Sequence, residues 1–221
     1  TGTGDAASPV HHNCSGKHAG ILAMCVHLGI DHRDYLAAEH PAQRRILAFC
    51  GRLVDEDPAD MPLAVDGCGI PVFATTLRRA ARAFARMATL QGAAAGDLAA
   101  LRIVRDAMAA EPAYVGGTTR FDTALIATTA GRIVGKAGAE GVHGDALRRE
   151  GLGLVFKVID GARRAVSPAA IALLNELGAL EERERVELRR FAEPAVYNAA
   201  GRTVGGIGVR MADTIPRPRT S

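Results

Sequence analysis

The chain has 221 residues, of which 48% are hydrophobic, and a formal net charge of +3. That apolar content is ample for a packed core, while 4% aromatic residues and no Trp leave the basic groups without the stacking partners of a nucleic-acid interface. No apolar run approaches the ~20 residues that cross a bilayer, and nothing near Thr1 resembles a signal peptide. The composition reads as a globular, cytoplasmic protein.

In chain order, the first predicted element is a helix from residue 15 or 16 to residue 28, with Gly29 as its C-cap. Pro41 suits the first turn of a second helix that runs to about residue 54. Residues 63–65 read as a short strand, ended by the turn Asp66-Gly67-Cys68-Gly69. An alanine- and arginine-rich helix follows over residues 76–87, then a flexible join over 91–96 and a further helix over 97–110. Gly116-Gly117 loosens the backbone again.

The last third changes character. Residues 123–129 and 132–136 are rich in β-formers around Ala130-Gly131 and are predicted to form a hairpin. Residues 152–159 predict another strand, with Asp160-Gly161 as its turn, and Ser167 is placed as the cap of a helix beginning at Pro168. The run Glu181-Glu182-Arg183-Glu184-Arg185 reads as a solvated helix face. Residues 195–198 and 202–209 form a closing hairpin around Ala200-Gly201, and residues 212–221 read as a disordered tail. Helices first and antiparallel strands later give a mixed α/β (α+β) class, with a helical lobe packed on an antiparallel sheet.

The four cysteines separate into two kinds. Cys25 shares a helical stripe with Ile21, Leu22 and Leu28, and Cys50 shares one with Ile46, Leu47, Leu53 and Val54, so both are expected in the core. Cys14 and Cys68 stand instead among polar residues and glycines. A disulfide is one role for that pair; thiolate chemistry or a metal suits a cytosolic setting better.

The two segments around them are His11-His12-Asn13-Cys14-Ser15-Gly16-Lys17-His18-Ala19-Gly20 and Val65-Asp66-Gly67-Cys68-Gly69-Ile70-Pro71. Each sets ionisable or nucleophilic side chains among glycines, where the backbone bends sharply and another group approaches closely. With a helix beginning near Asn13 or Cys14, Cys14 and Lys17 face the same way, as do Ser15 and His18. The field of a helix N-terminus lowers a thiol's pKa and penalises a lysine cation, so Lys17 is a candidate for a depressed pKa, and with burial and a second cation such as Lys136 or a metal it would be a neutral lysine able to act as a base. His11, His12 and His18 fit no standard zinc spacing, and Asp66 could simply hold its own turn.

Together with Lys136-Ala137-Gly138-Ala139-Glu140-Gly141-Val142, these segments resemble the rhizobial-type L-asparaginases, the asparaginase II family. Matching stretches extend over His40-Pro41-Ala42-Gln43, over Gly116-Gly117 with Arg120-Phe121, and over Gly151-Leu152-Gly153, in order along nearly the whole chain. The resemblance implies a serine-β-lactamase-like fold with Lys136 on an inner strand. It implies a hydrolase that cleaves the side-chain amide of L-asparagine to L-aspartate and ammonia. It also implies a zinc ion held by Cys14, Lys17 and Cys68, with Asp66 on the substrate's α-amino group and His18 supporting the pocket. Lys17, Ser15 and Lys136 are then the catalytic candidates. The partner is a small molecule, with no nucleic acid and no membrane, and a homodimer is an open alternative to a monomer.

The family's Ser-x-x-Lys pair, whose serine is taken as the nucleophile, has no counterpart in these 221 residues. The chain is therefore expected to be a single asparaginase-like domain over residues 1–221 without the family's N-terminal segment. Two alternatives stand beside it: a non-catalytic remnant that binds zinc or an amino acid, and another serine acyl-enzyme of the same fold, such as a glutaminase. Against the last stands the Cys14 and Cys68 pair, which has no role in those relatives.

Overall fold

The computed structural model describes residues 8–212 and divides the chain into two units, Thr1–Thr75 and Thr76–Ser221. Residues 213–221, most of the expected disordered tail, lie outside the described residues.

In the first unit, α1 (Ser15–Leu28) ends where expected, at Gly29 in the left-handed conformation with φ 64°. The second helix, α2 (Pro41–Val54), begins at its proline, and the His40 imidazole accepts a hydrogen bond from Ala42 N at 3.2 Å, covering one of the otherwise unpaired first-turn amides. Ile21 and Cys25 of α1, Ala42 of α2 and Ile70 form the buried core, with Met24, Ile30, Tyr35 and Ile46 packed around it. Cys25 is fully buried, as its stripe predicts, and Cys50 is partly buried on α2, where burial pushes its thiol pKa up. The strand β1 (Leu63–Val65) pairs antiparallel with β2 (Pro71–Phe73), Val65 opposite Pro71. The sequence reading gave only β1, because three residues headed by a proline carry no strand pattern of their own.

The second unit opens with α3 (Leu77–Thr89), capped by Thr76, whose hydroxyl accepts from Arg79 N at 3.3 Å. There follow α4 (Ala95–Ala110), the short α5 (Pro112–Gly116) and α6 (Phe121–Thr128). The last of these overturns the expected hairpin over residues 123–136. Phe121 and Leu125 lie four residues apart, one helical turn, and both are buried in the main core. That burial overrides the β preference of Thr123, Ile126, Thr128 and Thr129. Only the second half of the expected hairpin is extended.

A three-stranded antiparallel sheet follows in the order β3-β4-β5, formed by Ile133–Ala137, Val142–Leu147 and Leu152–Lys157. Lys136 pairs with Gly144. Within this sheet β3 is an edge strand, whereas the resemblance implied an inner one. The sequence reading missed β4, the central strand, because Val142-His143-Gly144-Asp145-Ala146-Leu147 buries a histidine and an aspartate where a strand pattern expects apolar side chains. The helix α3 packs on β4 and β5. The main core brings Ile133 and Leu147 of the sheet together with Phe121 and Leu125 of α6, Ile171 and Leu174 of α7 (Val166–Glu176) and Leu188 of α8 (Glu182–Ala192).

Two further expectations change. Helix α7 begins at Val166 with no side-chain cap, so Ser167 lies inside it and does not cap it. The acidic run is only partly solvated: Glu184 is 7% exposed and Arg132 Nη2 donates to both of its carboxylate oxygens at 2.6 Å. The closing hairpin is found as β6 (Ala195–Tyr197) with β7 (Thr203–Gly206). Among the described residues no helix is long and apolar enough to cross a membrane.

Candidate functional site

Two local structures build the site in the first unit. Cys14 stands at the N-cap position of α1, so Ser15 is the first helical residue and Lys17 projects from the first turn. Across from them, the link between β1 and β2 is a tight turn in which Gly69 N donates to Asp66 O at 2.8 Å and Asp66 N to Ile70 O at 2.9 Å. Gly69 has φ 86°, which a side-chain-bearing residue rarely adopts. That turn sets Asp66 and Cys68 side by side.

The result is a four-residue cluster. Lys17 Nζ donates to Asp66 Oδ2 at 3.0 Å, and Cys68 Sγ donates to the same oxygen at 3.5 Å. Asp66 Oδ1 accepts from Gly67 N at 2.8 Å. One ligand atom each from Cys14, Asp66 and Cys68 lies within 4.8 Å of the other two. All four cysteines are free thiols, so the disulfide alternative for Cys14 and Cys68 does not apply here. A largely apolar cavity of about 380 Å³, lined by Ile21, Gln43, Ile46, Ile70 and Phe73, opens beside Lys17.

The electrostatics reverse one expectation. Partial desolvation opposes the Lys17 cation, but the hydrogen bond to Asp66 and the charges of Cys14, Cys68 and Asp66 outweigh it and raise the lysine's pKa. The pairing with Asp66 therefore favours the ammonium form of Lys17 over the neutral amine that a helix N-terminus alone would favour. Asp66 is correspondingly lowered, by Lys17 first and by Gly67 N. Burial and the hydrogen bond with Cys68 raise the Cys14 thiol, against the lowering effect of Lys17. The helix-terminus field loses to these contacts because they act at closer range.

Cys14, Lys17, Asp66 and Cys68 thus come together, and Ser15 adjoins them in sequence. His18 is held by Tyr35, with Nδ1 2.6 Å from the tyrosine hydroxyl. Tyr35 is in turn fixed through its carbonyl, which accepts from Gln43 Nε2 at 2.7 Å. Sequence reasoning missed Tyr35; the block His40-Pro41-Ala42-Gln43 was its only trace, and that block now reads as the support of Tyr35. Lys136 belongs to the second unit, where Nζ donates to Ala137 O at 2.6 Å and lies 3.8 Å from Asp122 Oδ2. Asp122, His143 and Asp145, which surround the base of β3, were also missed, since none stands in a recognisable spacing.

Two thiols, a carboxylate and an amine are a donor set that suits zinc. Comparison with curated proteins returns no match. The family model described as L-asparaginase II matches residues 1–209, a span that holds every residue of the cluster and Lys136 as well. The chain belongs to the L-asparaginase II family.

Proposed function

We propose that this protein is an amidohydrolase that cleaves the side-chain amide of L-asparagine to L-aspartate and ammonia, acting in the cytoplasm with a serine-β-lactamase-like fold. The observation that carries the reading is the convergence of Lys17, Cys14 and Cys68 on the carboxylate of Asp66 in a chain of this family.

Cys14, Lys17 and Cys68 would hold zinc, and bound zinc would polarise an oxygen of the substrate as a Lewis acid. The remaining chemistry belongs to the side chains. Asp66 binds an ammonium group at 3.0 Å, that of Lys17, and an amino acid presents the same group on its α-carbon. Lys17, with its proton released to solvent and its amine turned toward the thiols, would leave Asp66 Oδ2 open to the α-ammonium of asparagine. His18, braced by Tyr35, supports the neighbouring wall. Ser15 and Lys136 are the further catalytic candidates, Lys136 with its amine fastened near Asp122.

A second reading rests on the same cluster: Cys14, Asp66 and Cys68, with ligand atoms within 4.8 Å of one another, would equally serve a protein that binds zinc and an amino acid without turnover. Metal analysis, calorimetric binding of L-asparagine and ammonia release separate the two. The enzyme reading expects zinc, asparagine binding and ammonia. Zinc and asparagine binding without ammonia favours the second reading, and neither zinc nor binding defeats both.

A further inference from the structure

The proposed chemistry makes no use of a buried charge cluster in the second unit. His143 on β4 is fully buried, and its Nε2 lies 2.8 Å from Oδ1 of Asp145, which is fully buried as well. On the other side of the ring, Nδ1 lies 3.9 Å from Oδ1 of Asp122 on α6. The rings of Phe121 and Phe156 pack against the imidazole with centroids 5.6 and 5.5 Å away. Carboxylates in such surroundings require a counter-charge.

Three charged groups act on the imidazole: Asp145 on its own strand, Asp122 on α6 and, from β3, the half-exposed Lys136. With His143 protonated, two cations face two anions and the cluster is neutral. Burial and the Lys136 charge oppose that proton, but the two carboxylates outweigh them and the histidine's pKa is raised. Gly135, the residue before Lys136, is opposite Asp145, and a Cβ there would overlap the Asp145 carboxylate. The strand is built around this acid.

Asp122 joins the cluster to Lys136. Its Oδ1 faces the imidazole, while its Oδ2 accepts from Ala137 N at 3.0 Å and lies 3.8 Å from Lys136 Nζ. We propose that Asp122, backed by a protonated His143 and by Asp145, is a positioning residue for Lys136. The imidazolium holds the carboxylate in place, and the carboxylate fixes both the lysine amine and the peptide that follows it. The catalytic consequence rests on the proposed function, in which Lys136 takes part; the positioning does not.

The chain has three lysines, Lys17, Lys136 and Lys157, so protein labelled with ¹³Cε-lysine gives a spectrum in which Lys136 is resolved. The experiment follows that signal, the Ala137 amide and the ¹⁵N-labelled His143 ring through a pH titration. We expect a protonated ring at pH 6.5, and Lys136 and Ala137 signals that move with the midpoint at which the ring loses its proton, while Lys157 stays indifferent. In Asp122→Asn the ring still titrates but Lys136 and Ala137 no longer follow it. In Asp145→Asn they follow it still, at a lower midpoint. A neutral ring at pH 6.5, or Lys136 and Ala137 signals blind to its titration in the wild type, overturns the proposal. So does unchanged coupling in Asp122→Asn. If that variant does not fold, the wild-type titration decides alone. In the ammonia assay Asp122→Asn should lower kcat at least about tenfold with little change in KM. Intact kcat with the signal coupling abolished overturns the catalytic part assigned to Lys136 and leaves the positioning standing.

Discussion

Lys17 and Asp66 are 49 positions apart, and a 3.0 Å ion pair joins them at the mouth of α1. Each was legible alone, one as a helix-start lysine and the other as a turn acid. Their pairing was not, because it depends on how the β1–β2 turn is laid against the helix. The pair has a chemical consequence: the amine must give up its proton before it can ligate a metal.

Replacing Lys17 tests that step. Lys17 is 40% exposed, so its ion pair adds under about 1 kcal/mol to stability. With zinc chelated, Lys17→Arg and Lys17→Ala should both melt within a few degrees of the equally treated wild type. Both should lose zinc and ammonia release, since a guanidinium neither deprotonates nor ligates zinc. Zinc analysis, thermal melting and turnover check this together. Substantial activity in Lys17→Arg would reduce the lysine to a positioned charge and sink the ligand role.

The thiols make a parallel case. Cys14→Ser and Cys68→Ser should lower zinc content, and the double variant should abolish it. Cys25→Ser should keep the metal while losing about 1 to 3 kcal/mol, because Cys25 is fully buried against Ile21 and Ile70 and a hydroxyl there is desolvated. Equal zinc in the wild type and the double variant would defeat the assignment.

Elements with strong local signals were read correctly: α1 through Gly29, α2 through Pro41 and the last hairpin through Ala200-Gly201. Helix α6 was misread because its threonines favour strands locally, while the burial of Phe121 and Leu125 that decides the matter is tertiary. In the site, Cys14 and Cys68 were visible from composition. The charge on Lys17 was misjudged because only the dipole was on view; the carboxylate that reverses it comes from another element. His143 and Asp145 look like ordinary polar residues until the strand that carries them is seen to be central.

The block Gly151-Leu152-Gly153 has a packing reason at Gly153. A Cβ there would overlap Ala81 O and crowd Ala85 N, so α3 rests its backbone directly on β5. Gly153→Ala should cost about 1 to 3 kcal/mol, or more if α3 cannot shift. The corresponding fall in melting temperature is about 2 to 12 °C. Gly96, in α4 with open space around it, should behave oppositely. Gly96→Ala should gain about 0.5 to 1 kcal/mol. Equal melting temperatures for the two variants would show that α3 does not press on the strand.

The last prediction concerns pH. His143 has its pKa raised because, although burial resists the charge, Asp145 and Asp122 favour it. The folded state therefore binds this proton more tightly than the unfolded chain, where the value is about 6.5. Its stabilising contribution is complete below about pH 6.5 and is lost as pH rises through the folded value. Wild-type stability, measured by denaturant midpoint, should fall as pH rises from about 6.5 through the folded value. Thiols ordinarily titrate near about 8.5, so the raised Cys14 and Cys50 contribute little to the onset of that fall. The variant His143→Gln should be less stable wherever the wild-type ring is protonated, because it leaves two buried acids without their cation, and its profile should be flatter as pH rises above about 6.5. Parallel profiles for the two proteins would mean that the folded chain holds the His143 proton no more tightly than the unfolded chain does.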